Sequence, residues 1–458
     1  MEKKEIEIIH SKKSMASYGF GKFVNEFLNL AFGAYVFFYY ETEIGLNVWL
    51  TALGYIIFAL WNAINDPLLG YLTDRPFKFT KKWGRRFPWV YIGGIPYIIS
   101  YILVFIPPDV DPISGAWIIF GWLVFTTCLY DTFGSIFNVN FFGLFPDKFR
   151  GDHERRDAAG ISTLTGTFGV ALGAILPPLF IVFGNKQSYI IQGGIVIFTC
   201  LIALSLAIPG TREDQIRIDS YLEKSEESVE KVPFFKTLRD RLKQKNLRAW
   251  IYAYIFFQSV VILMIASLPY LVRYVVEMEA AATTLIMVGF LLGAIISIPI
   301  WMTISHKLKD DRKTLIIASF LMAACTVPLI FLREYYLVII AVAFWGFSLG
   351  GWWIIQSPVL ADIIDESVIS TGKREEGLFN GIQLLFARAA LIIQAVSFAL
   401  IHTLTGFNEN APSQTELAKF GIHIHLALLP MIFIIISGLI LWKLYDLTPE
   451  KVQANKAK

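Results

Sequence analysis

The sequence predicts an all-α polytopic membrane protein with about twelve membrane-crossing helices, and three observations carry that prediction. Of its 458 residues, 55% are hydrophobic and 17% charged, with a mean hydropathy of +0.56; ordinary soluble domains carry about 25% charged residues. Apolar runs of roughly 20 residues, enough helix to cross a ~30 Å hydrocarbon core, recur along nearly the whole chain. Examples are "WVYIGGIPYIISYILVFI" and "LALLPMIFIIISGLILW". Finally, Lys and Arg collect in alternate gaps between the runs, as membrane topology requires.

In chain order, the opening "MEKKEIEIIHSKKSM" is charged and has no apolar core before a small-residue cleavage site, so no signal peptide is expected. Spans are expected near 17–40, 46–73, 88–107, 115–145, 157–184, 189–209, 247–275, 282–304, 314–332, 335–365, 375–403 and 420–445. The polar stretch 209–248 divides them six and six, the layout of a transporter built from two parallel repeats. The expected divisions are a segment 1–16, a six-helix bundle 17–209, a loop 210–246, a second six-helix bundle 247–445 and a tail 446–458. With the amino terminus inside, one side takes Arg75, Lys78, Lys81, Lys82, Arg85, Arg86, Lys148, Arg150, Lys307, Lys309, Arg312 and Lys313, while Lys186, Arg273, Arg333 and Lys419 face the other. Both termini are therefore expected in the cytoplasm of a cell-membrane protein. The same bias accounts for the net charge of +3 without nucleic acid. Cys128, Cys200 and Cys325 all fall within spans, lack C-x-x-C spacing and read as packing residues.

Ionisable groups in the bilayer cost at least ~2.5–3.5 kcal/mol on insertion scales and usually face a cavity or a partner. Here the intramembrane polar set is Lys22 and Glu26 in the first span, Asn62, Asn65 and Asp66 in the second, Asp131 and Asn138 in the fourth, and Arg388 in the eleventh, the asparagines being its neutral members. Asn62 and Asp66 share a helix face, being four apart. Plainer readings exist: Lys22 snorkels to the surface or neutralises Glu26, and Asn62 and Asn138 are interhelical hydrogen-bond glue. Taken together, a carboxylate flanked by amide and hydroxyl oxygens suits a hard monovalent cation, while a lone carboxylate near an arginine suits a proton. Asp131 matches no pattern.

The stretch "NDPLLGYLTDR…GRRFPW" resembles the second-span signature of the glycoside–pentoside–hexuronide:cation symporters, the melibiose permease family within the major facilitator superfamily. "YGFGKFVNEF" is similar to its first span, "NVNFFGLFPD" to the end of its fourth, and "WIIQSPVLADIIDE" with "GKREEGLFNGIQLLFARAA" to its tenth and eleventh. The resemblance covers essentially the whole chain. It implies the major facilitator fold, two six-helix bundles, and cation-coupled symport of a sugar, glycoside or hexuronide by alternating access. By position it implies a cation site at Asn62, Asn65, Asp66 and Ser135, where Na+ is one candidate ion. It places Glu26, Asn138, Phe142, Trp353, Gln356, Gln383 and Arg388 on the substrate site. Trp353 suits the apolar face of a pyranose ring. Asp74, Arg85 and Arg86, with Asp362 and Asp365 in the second half, are expected to form ion pairs that latch one conformation.

The departures shape the expectation. Asn62 stands where sodium users of the family have an aspartate, leaving Asp66 as that site's carboxylate and favouring a proton over sodium. Asn138 replaces a second sugar-binding aspartate, and "AAGISTLTGTFGVALGAI" lacks a sugar-contacting arginine. Arg388, standing for a lysine, grips carboxylate or phosphate bidentately, so a lysophospholipid or other anionic amphiphile is the alternative cargo. No H-E-x-x-H, G-x-S-x-G or phosphate-cradling loop suggests an enzyme, and nothing resembles a selectivity filter. Expected partners are a small-molecule substrate (a sugar or sugar acid), a coupling H+ or Na+ and the lipid bilayer, with no other cofactor and no nucleic acid.

Overall fold

A computed structural model describes residues 9–73, 77–216, 218–219, 234–372 and 376–456. Among them there are helices, turns and irregular links and no β-strand. The principal helices are α1 (Lys12–Phe38), α2 (Val48–Thr73), α3 (Phe87–Leu103), α4 (Ala116–Lys148), α5 (Asp152–Phe180) and α6 (Lys186–Leu206). They continue as α7 (Lys245–Val275), α8 (Ala282–Leu308), α9 (Asp311–Ile330), α10 (Tyr335–Ile369), α11 (Glu376–Thr405) and α12 (Glu416–Lys443). By length and composition, ten helices of the described residues are fit to cross a membrane. Of the other two, α3 is a shorter apolar helix, and α1 interrupts its apolar surface with Lys22, Asn25, Glu26 and Asn29. The chain is an all-α, multi-pass membrane protein.

Residues 1–39 with 60–230 form one compact unit, and residues 40–59 with 231–458 form another. The second unit thus takes in the first half of α2. The same backbone device recurs where α1 and α7 end. A π-helical turn follows α1 at Tyr39–Glu43, and another closes α7 at Leu271–Val275. Each is locked the same way: Leu46 N donates to Tyr40 O, and Met278 N to Val272 O, both at 3.0 Å. Such turns widen a helix by one residue and redirect the side chains after it.

Helices approach closely where glycine removes the side chain. On α5, a Cβ at Gly169 would sit 2.5 Å from Phe23 O of α1, and one at Gly173 2.8 Å from Phe27 O. On α8, a Cβ at Gly293 would run into the Ala343 carbonyl of α10. Backbone-to-backbone approach of this kind is how helices gain van der Waals contact without a hydrophobic drive. Gly194 on α6 instead has open space around it. Gly293→Ala is therefore expected to destabilise the purified protein by ~1–3 kcal/mol through overpacking. Gly194→Ala is expected to be neutral or up to ~1 kcal/mol stabilising on helix propensity. Parallel thermal denaturation of the two variants checks the contrast.

Candidate functional site

The seam between α2 and α4 is polar along its length. From one end, Trp61 Nε1 donates to Thr132 Oγ1 at 3.0 Å. Next, the amide of Asn62 donates to Asp131 Oδ1, and that of Asn65 donates to Asp131 Oδ2 at 3.2 Å. One turn on, the Ser135 hydroxyl donates to Asp66 Oδ1, and finally Asn140 Nδ2 donates to Thr73 Oγ1 at 3.2 Å. Helical spacing aligns them: residues 62, 65, 66 and 73 recur at intervals of three, one and seven, as do 131, 135 and 140 at four and five. Pro67 follows Asp66 inside α2 and, lacking an N–H, withholds the usual helical bond from the Ala63 carbonyl. Asn62, Asn65, Asp131 and Ser135 are buried and Asp66 is half-buried.

Thus Asn62, Asn65, Asp66 and Ser135 do come together. Asp131, which has no role in the sequence reading, joins them, and the seam holds two carboxylates instead of one. Two acceptors of the seam, Asn62 Oδ1 and Asn140 Oδ1, are buried without a hydrogen-bond partner. Buried acceptors are nearly always paired, so these call for an explanation.

The expected substrate residues fall on both units. In the first, Glu26 lies on α1 beside Asn25, whose Oδ1 accepts from Asn29 Nδ2 at 3.0 Å. Lys22 does not lie idle at a helix end: its stem runs over Gly166 of α5 and its Nζ reaches Thr163 Oγ1 at 3.5 Å. On α4, Asn138 Oδ1 is a second buried acceptor without a partner, while Phe142 is exposed. In the second unit, Gln383 Oε1 accepts from Trp250 Nε1 at 2.8 Å. Trp353 is half-buried, edge-on to Phe290 at 6.3 Å, and Gln356 lies one turn further along α10.

Arg388 lies mid-way along α11, which spans Glu376–Thr405 much as the sequence expects of 375–403. The helix tightens at this point: Arg388 keeps helical dihedrals (φ -62°, ψ -25°), while Arg388 N donates to Leu385 O at 3.3 Å and Leu391 N to Arg388 O at 3.1 Å, both three-residue returns.

Of the expected latch, Asp74 lies outside the described residues. Arg85 Nη2 and Arg86 Nε both donate to Asp147 Oδ2, at 2.7 and 2.8 Å, which ties the start of α3 to the end of α4. Glu213 Oε1 then caps α3 by accepting from Arg86 N and Phe87 N at 2.6 and 3.0 Å. In the second unit, Asp362 lines a cavity of about 450 Å³ with Lys309, Asp310, Arg312 and Tyr445. Asp365 lies one turn beyond it on α10, and the neighbouring Glu366 accepts from Asn246 Nδ2 at 2.8 and 3.0 Å.

A second buried polar cluster escaped the sequence reading. Glu41, fully buried, accepts from Tyr270 Oη at 2.5 Å and lies 2.7 Å from His402 Nδ1. His402 Nε2 meets His425 Nε2 at 3.2 Å, and His425 Nδ1 meets Ser267 Oγ at 2.6 Å. Two residues from Glu41, Glu43 pairs with Arg273 Nη1 at 2.6 Å.

Helices of membrane length in two units, with carboxylate, amide and hydroxyl groups buried on a helix–helix seam, define a membrane transporter of the major facilitator fold. Solved structures agree on the fold: a D-xylose–proton symporter superposes with a TM-score of 0.65 at 13% identity, over 95% of this chain and 98% of that one. The family described as MFS/sugar transport protein matches residues 17–449, and the chain belongs to it. That family consists of transporters, not enzymes. Among relatives, the mouse sodium-dependent lysophosphatidylcholine symporter 1 is 22% identical over 430 residues, covering 86% of this chain and 78% of its own. The raffinose carrier protein of Pediococcus pentosaceus is 26% identical over 405 residues, covering 84% of this chain and 60% of its own.

Proposed function

We propose that this protein is a secondary active symporter that moves a sugar, glycoside or hexuronide together with a cation by alternating access. The observation that carries this reading is the α2–α4 seam, which holds two carboxylates, a hydroxyl and a buried amide oxygen without a donor on adjacent helical turns. A symporter must bind its ion in such a place, at membrane depth and next to its substrate residues. The substrate groups we assign are Glu26, Asn138, Phe142, Trp353, Gln356, Gln383 and Arg388. Carboxylate and amide acceptors suit sugar hydroxyls, and Trp353 suits a ring face. The raffinose carrier among the relatives favours carbohydrate. We place both termini in the cytoplasm of the cell membrane, where Arg85, Arg86, Asp147 and Asp362 would hold one conformation closed. A second reading, lysophospholipid as cargo, is favoured by the similarity to lysophosphatidylcholine symporters.

A thermal-stability panel on the detergent-purified protein tests the cargo. It holds glycosides, pentosides, hexuronates and lysophospholipids, each with sodium, with choline, and at two pH values. A ligand at a hundredfold excess over its Kd stabilises by about 2.7 kcal/mol. Stabilisation by a carbohydrate supports the proposal, and stabilisation by lysophospholipids alone replaces the substrate class. Against the responding ligand, Glu26→Ala and Arg388→Ala are each expected to weaken binding roughly 10- to 100-fold, since each loses charge-assisted hydrogen bonds of about 1.5–3 kcal/mol. Unchanged affinity in both would remove them from the site.

A further inference from the structure

We infer that Asp131 supplies the second carboxylate of the coupling-cation site, and that the co-transported ion is an alkali-metal cation and not a proton. The inference rests on the symporter reading above and sharpens its ion. It starts from what each polar atom of the seam does. Asn62 and Asn65 turn their Nδ2 groups to the two oxygens of Asp131, one each. Asn62, with its Nδ2 committed to Asp131, leaves its carbonyl oxygen as the acceptor in need of a positive partner. Asn62 is 94% buried as a residue and that oxygen meets no donor.

A proton serves this arrangement poorly. An amide oxygen does not hold one near neutral pH, and a carboxylic O–H satisfies a single acceptor. Both oxygens of Asp131 already accept amide N–H bonds, and Asp66 Oδ1 accepts from Ser135. The oxygen donors on these adjacent turns are the Asp66 and Asp131 carboxylates, the Asn62 carbonyl and the Ser135 hydroxyl. Oxygen donors of this kind suit a hard cation. The seam also explains why Asn62 is tolerated. Its partner across the seam carries the negative charge, so the site keeps two anionic groups, one from each helix.

The test is ion binding in the absence of cargo. Full-length purified protein is titrated with NaCl, LiCl and KCl against choline chloride at constant ionic strength, and its thermal midpoint is followed. Wild type is expected to be stabilised saturably by at least one alkali ion. Asp131→Asn should raise the half-saturating concentration tenfold or more, the range seen when groups that support a metal site are removed. Asp131→Glu should retain most of the response. In the exchange variant Asn62→Asp/Asp131→Asn the carboxylate moves to the facing helix, and the response should return to within a few-fold of wild type. If Asp131→Asn does not fold, the exchange variant decides: a folded exchange protein that ignores the ions overturns the inference. So does Asp131→Asn with a wild-type response while Asp66→Asn loses it, which leaves the symporter reading intact. A wild type that ignores every alkali ion but is stabilised by its cargo in a pH-dependent way also overturns it and makes the ion a proton. The symporter reading fails on a different result: no cargo accumulating under any ion gradient in proteoliposomes.

Discussion

Asp66→Asn is expected to abolish concentrative uptake in proteoliposomes, bringing the inside-to-outside ratio of cargo to about one, while exchange of preloaded cargo stays within a few-fold of wild type. The substitution keeps the size of the side chain and a group that Ser135 can still hydrogen-bond, so the α2–α4 seam persists. It removes one of the seam's two carboxylates. Coupling is a free-energy link between two ligands on one carrier, and it is reciprocal: a protein that does not take the ion cannot pass the ion's gradient to the cargo. Exchange needs only that the loaded carrier alternate between its two states, which costs no net ion movement. Counterflow of radiolabelled cargo measured beside net uptake separates the two. Active accumulation by the variant would place the coupling ion elsewhere in the chain.

How much of this was legible in the sequence follows from the range of each interaction. The spans could be read because a bilayer demands about 20 apolar residues per crossing whatever the tertiary fold. Asn62, Asn65 and Asp66 stood out for the same reason, as polar residues in an apolar run. Asp131 stood out too, but its partners lie 69 and 66 residues away, and nothing local says that two amides turn towards it. Reading Asp66 as the site's lone carboxylate left Asp131 out, and the expectation of a proton as the ion rested on that reading. Glu41 and Glu43 read as loop acids just past an apolar run, and their burial depends on Tyr270, Arg273 and His402, some 230 to 360 residues on.

Those two acids lead to the second large effect, on stability. Arg273→Ala is expected to lower unfolding free energy by about 3–5 kcal/mol, the cost of leaving a buried charge uncompensated. The Glu43 side chain is 1% exposed and takes Arg273 Nη1 at 2.6 Å, so removing the arginine strips its carboxylate of a cation without letting in water. The reverse deletion is not equivalent. In Glu43→Ala the guanidinium, 16% exposed, keeps its place 5.0 Å from the centre of the Tyr274 ring and its reach to Thr42 Oγ1. A cation over an aromatic face retains about 0.5–2 kcal/mol of interaction, so Glu43→Ala should cost less than Arg273→Ala. Combining Arg273→Ala with Glu43→Gln should recover part of the loss, because the neutral amide needs no counter-charge and the two effects are not additive. Thermal or denaturant unfolding of the three variants in one detergent measures the order. Equal losses for both single variants, or no recovery in the double, would mean that the pair stabilises through packing and that its charges contribute little.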